Sequence, residues 1–335
     1  MSGNNTRDSV PLGGAMKRCN KCKSLMPQDV FLCIRCGFDS KPVAAAPTFK
    51  PAGVVKKGKF ANGLALAGQA WRVLMLDKEL LVFPLLSGIA CFFVLATFLA
   101  GAWASGMDIR DVDEVHGWYW LGMFLYYFVN YFIIVFFNCA LVACAMIRFR
   151  GGDPTVRDGL KAARERIGLI AAWAFVAATV GVILQMIEER VGFLGKIVTT
   201  ILGAAWTIAT YFVVPVLVVE NLGPIDAAKR SAAIVRKAWG ESIVGNAGVG
   251  ILTFLAMLLL VVPCALLTIV LALKAGSIAV GLVGAALTIG LMVTIALVSS
   301  ALTSILLSAL YLFASGEQVP PGFDPARLKG AFLAK

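Results

Sequence analysis

The chain has 335 residues, 59% of them hydrophobic and only 15% charged, with a mean hydropathy of +0.85. These proportions exclude an ordinary soluble protein of two or three domains and point to a membrane protein. The formal charge of +11 is uneven, with 13 of the 30 Lys and Arg in residues 1–79 and most of the rest in two short later segments. Basic residues interspersed with apolar runs suit a surface facing anionic lipid. They argue against nucleic-acid binding, which needs them gathered on one soluble module.

Residues 1–16 are polar and glycine-rich and read as disordered. The segment 17–40 follows with Cys19-x2-Cys22, ten residues, and Cys33-x2-Cys36. Four thiolates in two close-spaced pairs can close a tetrahedron around zinc, each pair supplied by a tight knuckle, and Gly37 gives the second knuckle left-handed freedom. Four protein ligands leave no open position, so the site is expected to be structural. A segment this short buries no core of its own, and the metal has to supply on the order of 10 kcal/mol of folding free energy. Disulfides are the rival reading, opposed by a cytosolic placement, and iron is the next metal to consider. The run "RCNKCKSLMPQDVFLCIRCGFD" resembles the short zinc-ribbon family. Residues 41–60, with Pro42, Pro47 and Pro51 and the basic end Lys56, Lys57 and Lys59, form a linker of roughly 3 Å per residue.

Residues 61–335 are expected to be an all-α membrane domain. Apolar runs at 80–102, 118–147, 167–187, 194–219, 242–273 and 277–314 each reach the ~20 residues that cross ~30 Å of hydrocarbon, which predicts six transmembrane helices. The second and last runs are long enough to protrude or tilt. No secretory signal is expected, because the first long apolar run starts near Leu80, so the first span serves as the insertion signal. With a cytosolic N-terminus, 26 of the 30 Lys and Arg fall inside and only Arg110, Arg190, Lys196 and Lys274 outside. Both termini are therefore expected in the cytosol. Trp103, Trp118, Tyr119 and Trp120 would form an outer aromatic belt, and Trp71, Trp239 and Tyr311 an inner one.

Two inner loops read as short amphipathic helices. Val156, Leu160, Ala163 and Ile167 oppose Arg157, Lys161 and Arg164; Ile225, Ala228, Ala232, Val235 and Trp239 oppose Lys229, Arg230, Arg236 and Lys237. Leu64 to Leu76 offers a third, weaker copy, which implies a direct repeat about an axis along the membrane normal. Pro84, Pro215 and Pro263 are expected to kink their helices. A stripe of Ser277, Gly281 and Ala285, and the glycines Gly245, Gly248 and Gly250, predict close helix packing. Cys91, Cys139, Cys144 and Cys264 sit singly in spans, as small hydrophobes.

No catalytic set is visible. His116 is the only histidine, placed with Asp108, Asp111, Asp113 and Glu114 in an outer loop that reads as a solvated acidic segment, with divalent-cation binding as the alternative. Span interiors carry no ionisable group, which argues against ion-coupled transport. Tyr127, Tyr131 and Asn138 share one face of the second span, with Asn130 beside it, and Ser300, Ser304 and Ser308 share a face of the last. Interhelical hydrogen bonding is the common role of such groups, and a lipid or solute path the alternative.

The stretches "WRVLMLDKELLVFPLLSGI", "MIRFRGGDPTVRDGLKAARERIGLIAAWA", "PVLVVENLGPIDAAKRSAAIVRKAWGESI" and "ALYLFASGEQVPPGF" resemble a bacterial family of six-span integral membrane proteins of unknown function. In layout the chain is also similar to the membrane domain that accompanies some glycerophosphodiester phosphodiesterases, without their soluble barrel. The resemblance implies a helical fold in the bacterial inner membrane and no catalytic residues. The expectation is a non-enzymatic membrane scaffold or regulator whose ribbon binds a protein partner while its basic face meets anionic lipid. The alternative is a lipid-handling or solute-permeating protein with an accessory ribbon. Metal analysis of the purified chain should find about one zinc per molecule, lost in Cys19→Ser/Cys22→Ser.

Overall fold

The computed structural model describes residues 16–18, 25–27, 59–104, 117–238, 244–316, 319–325, 327 and 328. The chain divides into two units, Met1–Thr48 and Phe49–Lys335. In the first, β1 (Met16–Arg18) pairs antiparallel with β2 (Leu25–Pro27), Lys17 opposite Met26, and the segment between them carries Cys19 and Cys22. The second unit is helical among its described residues: α1 (Lys59–Leu76), a 3-10 turn (Lys78–Leu81), α2 (Val82–Ala104), α3 (Gly117–Phe149), α4 (Val156–Glu165), α5 (Ile167–Ala209), α6 (Val213–Val219), α7 (Pro224–Ala238), α8 (Val244–Ala256), a π turn (Met257–Val261), α9 (Val262–Ala275) and α10 (Ile278–Ser315).

Six stretches are long and apolar enough to cross a membrane: Lys78–Ala104, Trp120–Phe149, Ile167–Arg190, Gly195–Val219, Val249–Ala275 and Ile278–Ser315. They follow the six predicted runs closely.

The 43-residue α5 holds two of these spans. On a straight helix, at 1.5 Å per residue, Trp173 and Trp206 would lie about 50 Å apart. Instead their rings stack at 5.7 Å, and the Thr199 hydroxyl reaches Glu188 Oε2 at 3.5 Å. The third and fourth spans are thus antiparallel arms of a hairpin that reverses between Arg190 and Gly195. The last two spans reverse at Gly276, whose φ of +58° is open to glycine, and one antiparallel register then joins Thr253 to Ser299 (2.7 Å) and Cys264 to Thr288 (3.5 Å). A Cβ on Gly284 would sit 2.3 Å from Thr268 Cγ2. The close-packed stripe accordingly runs through Gly281, Gly284 and Thr288 rather than Ala285, which is exposed, and Gly250 faces open space.

The prolines act differently from one another. Pro263 lacks an N–H and crowds the carbonyl four residues back, and the π turn Met257–Val261 immediately precedes it. Pro215 follows a break at Thr210–Phe212. The Phe212 N–H freed by that break donates to Ser231 Oγ of α7 at 2.9 Å. Pro84 falls in the first turn of α2, where its missing N–H costs nothing.

Burial divides this unit into two ends. At one, here the closed end, Cys139–Met146 of α3 are all buried, and eight consecutive residues cover every face of a helix. Ala301–Leu312 of α10 and Phe212–Val218 of α6 are largely buried as well. α3 is packed there by α4, α6 and α10, while α1 packs on α8 and α10. The C-terminal segment closes the base: Phe323 meets Phe149 edge-on at 5.8 Å, and Asn62 donates to the Arg327 carbonyl at 3.0 Å. At the open end apolar side chains project outward, including Phe92, Phe93 and Trp103, and in the outer part of the last hairpin no side chain is fully buried. α3 has 33 residues and α10 has 38, and their length beyond ~20 residues lies in the closed end.

The amphipathic helices form where predicted, but α4 and α7 do not spread their apolar faces on lipid. α4 lies along α3, with a Cβ on Gly159 falling 2.6 Å from Phe83, 2.7 Å from Cys144 and 2.8 Å from the Ala140 carbonyl. α7 packs on α5 and α6, and its buried stripe is Ala227, Ser231, Ile234 and Val235, while Ile225 is exposed. The face is rotated because the Ser231 hydroxyl is needed at the break above. Tyr311, expected in an aromatic belt, is buried in the core, where its hydroxyl finds a partner. The order amphipathic helix then antiparallel pair of spans occurs three times, led by α1, α4 and α7, in keeping with the expected direct repeat.

Gly159→Ala, which sets a methyl group against backbone, should destabilise the protein by about 1–3 kcal/mol. Gly203→Ala, whose methyl meets nothing within 4 Å, should be neutral or slightly stabilising. Thermal unfolding of the two variants in the same detergent compares them.

Candidate functional site

The four stretches quoted for the family resemblance converge at the closed end on two charged clamps. Asp77 lies in the break between α1 and the 3-10 turn, and Arg148 in the last turn of α3, where a cation also complements the helix dipole. Arg148 holds both Asp77 oxygens through Nε and Nη2, and Nη2 also donates to the exposed Asp153. The Asp77 side chain is 6% exposed and that of Arg148 24%. Asp153 is placed by the turn at Gly151, φ +81°, and Gly152, where a Cβ would strike Ile147. Thr155 then caps α4 in a reciprocal box with Asp158. The Thr155 hydroxyl first, and its backbone N–H second, hold the Asp158 carboxyl below its usual range. A depressed folded value means that this cap is intact at neutral pH and is lost as pH falls through the carboxylate range.

The second clamp centres on Glu220, just after α6. Arg230 Nε of α7 donates to its two oxygens at 2.9 Å each, and Tyr311 of α10 donates to Oε1 at 2.8 Å. Each clamp therefore ties the end of one span to an element two or more turns away in another hairpin or interfacial helix. Each carboxylate is paired with an arginine.

At the open end, a cavity of about 620 Å³ is lined by Tyr127, Gln185, Glu188, Glu189, Thr199 and their neighbours. Tyr127 donates to Gln185 Oε1 at 3.1 Å, and Gln185 Nε2 to Glu189 at 3.2 Å. The sequence reading passed over Gln185, although a lone amide within an apolar run was its available signal. Of the polar faces it did select, only Tyr127 reaches this cavity. Asn130 Nδ2 bonds the Tyr126 carbonyl of its own helix, Ser308 bonds the Ser304 carbonyl, and both serines are buried in the closed end.

Cys19, Cys22, Cys33 and Cys36 lie outside the described residues, as do His116, Asp108, Asp111, Asp113 and Glu114. Among the described residues no group of three or more His, Cys, Asp or Glu side chains is arranged to hold a metal. Cys139 and Cys144 are buried and Cys91 and Cys264 half-buried, all reduced, with Cys144 Sγ donating to the Thr155 carbonyl at 3.4 Å.

Six apolar helical stretches tied together at one end by buried packing and paired charges define a multi-span helical membrane protein. Residues 117–320, more than half of the chain, match the family of unknown function DUF6159, and the chain belongs to that family. No curated protein matches the chain in sequence. The family segment contains Arg148, Asp153, Glu220, Arg230 and Tyr311 but not Asp77.

Removing Arg148 leaves the buried Asp77 carboxylate unpaired, whereas Arg148 without Asp77 keeps the exposed Asp153. Arg148→Met should destabilise by about 3 kcal/mol and Asp77→Asn by less, and the double variant by clearly less than the two together. A double-mutant cycle in thermal unfolding reads the coupling.

Proposed function

We propose that this protein is a non-enzymatic membrane scaffold or regulator, with its closed end in the cytosol and both termini on that side. The observation that carries the reading is the closed end itself. From Cys139 to Met146, and around Ile305, Leu306 and Leu217, the side chains are buried, which argues against a wetted route through the described residues of the inner third of the bundle. The positive-inside distribution of Lys and Arg supports the orientation, and the family resemblance supports a bacterial inner-membrane location.

In this reading Cys19, Cys22, Cys33 and Cys36 hold one structural zinc in a ribbon that docks a protein partner. The exposed cations Arg157, Lys161, Arg164 and Lys229 face anionic lipid. The alternative, a lipid-handling or solute-permeating body with an accessory ribbon, draws on the open-end cavity around Gln185. The likeness to the membrane domain of glycerophosphodiester phosphodiesterases contributes layout alone to either reading.

A crosslinking pull-down from native membranes, comparing wild type with Cys19→Ser/Cys22→Ser at matched membrane levels, tests the scaffold role. Partners lost with the zinc are the expected result. Retention of the same partners, or recovery of lipid alone, would overturn the role of the head and direct attention to the cavity.

A further inference from the structure

We infer that Arg166 is a discrete binding site for the phosphate group of an anionic lipid, set where the closed end meets the hydrocarbon. This rests on the membrane orientation proposed above and deepens its lipid component from a diffuse basic face to one residue.

The first observation is an unfilled donor. Among the described residues, Arg166 Nε is the buried side-chain N or O atom that has no hydrogen-bond partner. Nη1 donates to the Ala162 carbonyl at 3.0 Å, and Glu165 approaches Nη1 only at 4.0 Å while itself 58% exposed. The edge formed by Nε and Nη2 is therefore left without an acceptor. That edge carries two parallel N–H donors, the geometry that matches two oxygens of one phosphate or carboxylate. A buried donor left unmade is costly, which favours a ligand that reaches it from the side on which the Arg166 side chain, 23% exposed, is open.

The second observation is depth. α4 runs antiparallel to α3: Thr155 accepts from Cys144, Gly159 meets Cys144 and Ala140, and Arg166 lies within electrostatic reach of Cys139. Cys139 is where α3 changes character, fully buried there and outward-facing by Ile134 and Tyr131. α2 gives the same level independently. Asp77 opposite Arg148 and Phe98 opposite Tyr126 fix a register that puts Leu85 beside Cys139 and Ala140. Phe83 is buried, whereas Leu85 is the first outward-facing apolar residue of α2. On its own strand of sequence, Arg166 separates the exposed charges Arg164 and Glu165 from the exposed apolar Ile167. Three helices thus place its guanidinium at the lipid headgroup level, where phosphodiester oxygens are abundant and cations extend toward them.

The third is the setting: Arg157, Lys161 and Arg164 are exposed on the helix leading to Arg166 and add positive potential without supplying its missing acceptor. The chemistry recognised is a phosphate monoanion, available from a lipid headgroup or from solution, and the depth selects the lipid.

The test uses the full chain, purified in mild detergent and titrated with phosphatidylglycerol or phosphatidylcholine, with bound lipid counted by native mass spectrometry. Wild type should retain one phosphatidylglycerol at about tenfold lower concentration than phosphatidylcholine, and Arg166→Gln should abolish that difference. Arg166→Lys keeps the charge but not the fork, so it should fold and bind about threefold or more weakly than wild type. It carries the test if the Gln variant is unstable. Arg157→Gln/Lys161→Gln/Arg164→Gln should keep its single tight lipid. Displacement of that lipid by millimolar inorganic phosphate would overturn the lipid as the source. Wild-type binding in both Arg166 variants, with loss in the triple variant, would overturn this site while sparing the basic face. Failure of every form to prefer the anionic lipid would overturn both.

Discussion

In the membrane orientation proposed here, cohesion is concentrated at one end because the two ends face different solvents. Lipid tails are as apolar as leucine, so the outer halves of the spans gain nothing by leaving lipid for one another and are held by packing and scattered polar contacts. Water drives burial only where the helices rise out of hydrocarbon. That is where α3 and α10 carry their surplus length and where their residues become buried on every face. The outward-facing Phe92, Phe93 and Trp103 and the exposed last hairpin are the same fact seen from the lipid side.

The clamps follow from this arrangement. A carboxylate such as Asp77 costs too much in hydrocarbon but can be held at the packed end by an arginine that satisfies both its oxygens. Such a pair contributes little net stability over an apolar substitute. Its physical effect is selective, since a helix displaced by one turn would leave the Asp77 carboxylate buried and unpaired. Glu220, bonded by Arg230 and Tyr311, imposes the same condition on α6, α7 and α10. The charged residues therefore fix which helix ends meet, and the apolar residues supply the cohesion.

The six spans were legible because a run of about 20 apolar residues has few other uses. The amphipathic helices were legible from their 3.6-residue period, but not their partners, because periodicity shows that a face is apolar and not whether lipid or protein covers it. Gly159 has no distinguishing mark in the sequence, yet its missing side chain lets α4 sit against Ala140 and Cys144. Ser231 looked like an interruption of a stripe and is instead the acceptor that completes the break ahead of Pro215. The clamps join residues 71 and 91 positions apart, a pairing that no local pattern encodes. Gln185 shows the opposite failure: its signal was local, a single amide in an apolar run, and was available without any structure.

The first clamp also bears on how the chain is organised. The family segment begins at α3, so Arg148 belongs to it, whereas Asp77, with α1 and all of α2, precedes it. The Asp77 carboxylate is thus the counter-charge that the preceding segment brings to an arginine of the family body. The chain that leaves the cysteine segment enters this body through α1, which packs on α8 and α10 and ends at Asp77. α1 and the clamp thereby join the segment that precedes the family body both to the last hairpin and to the centre of the closed end.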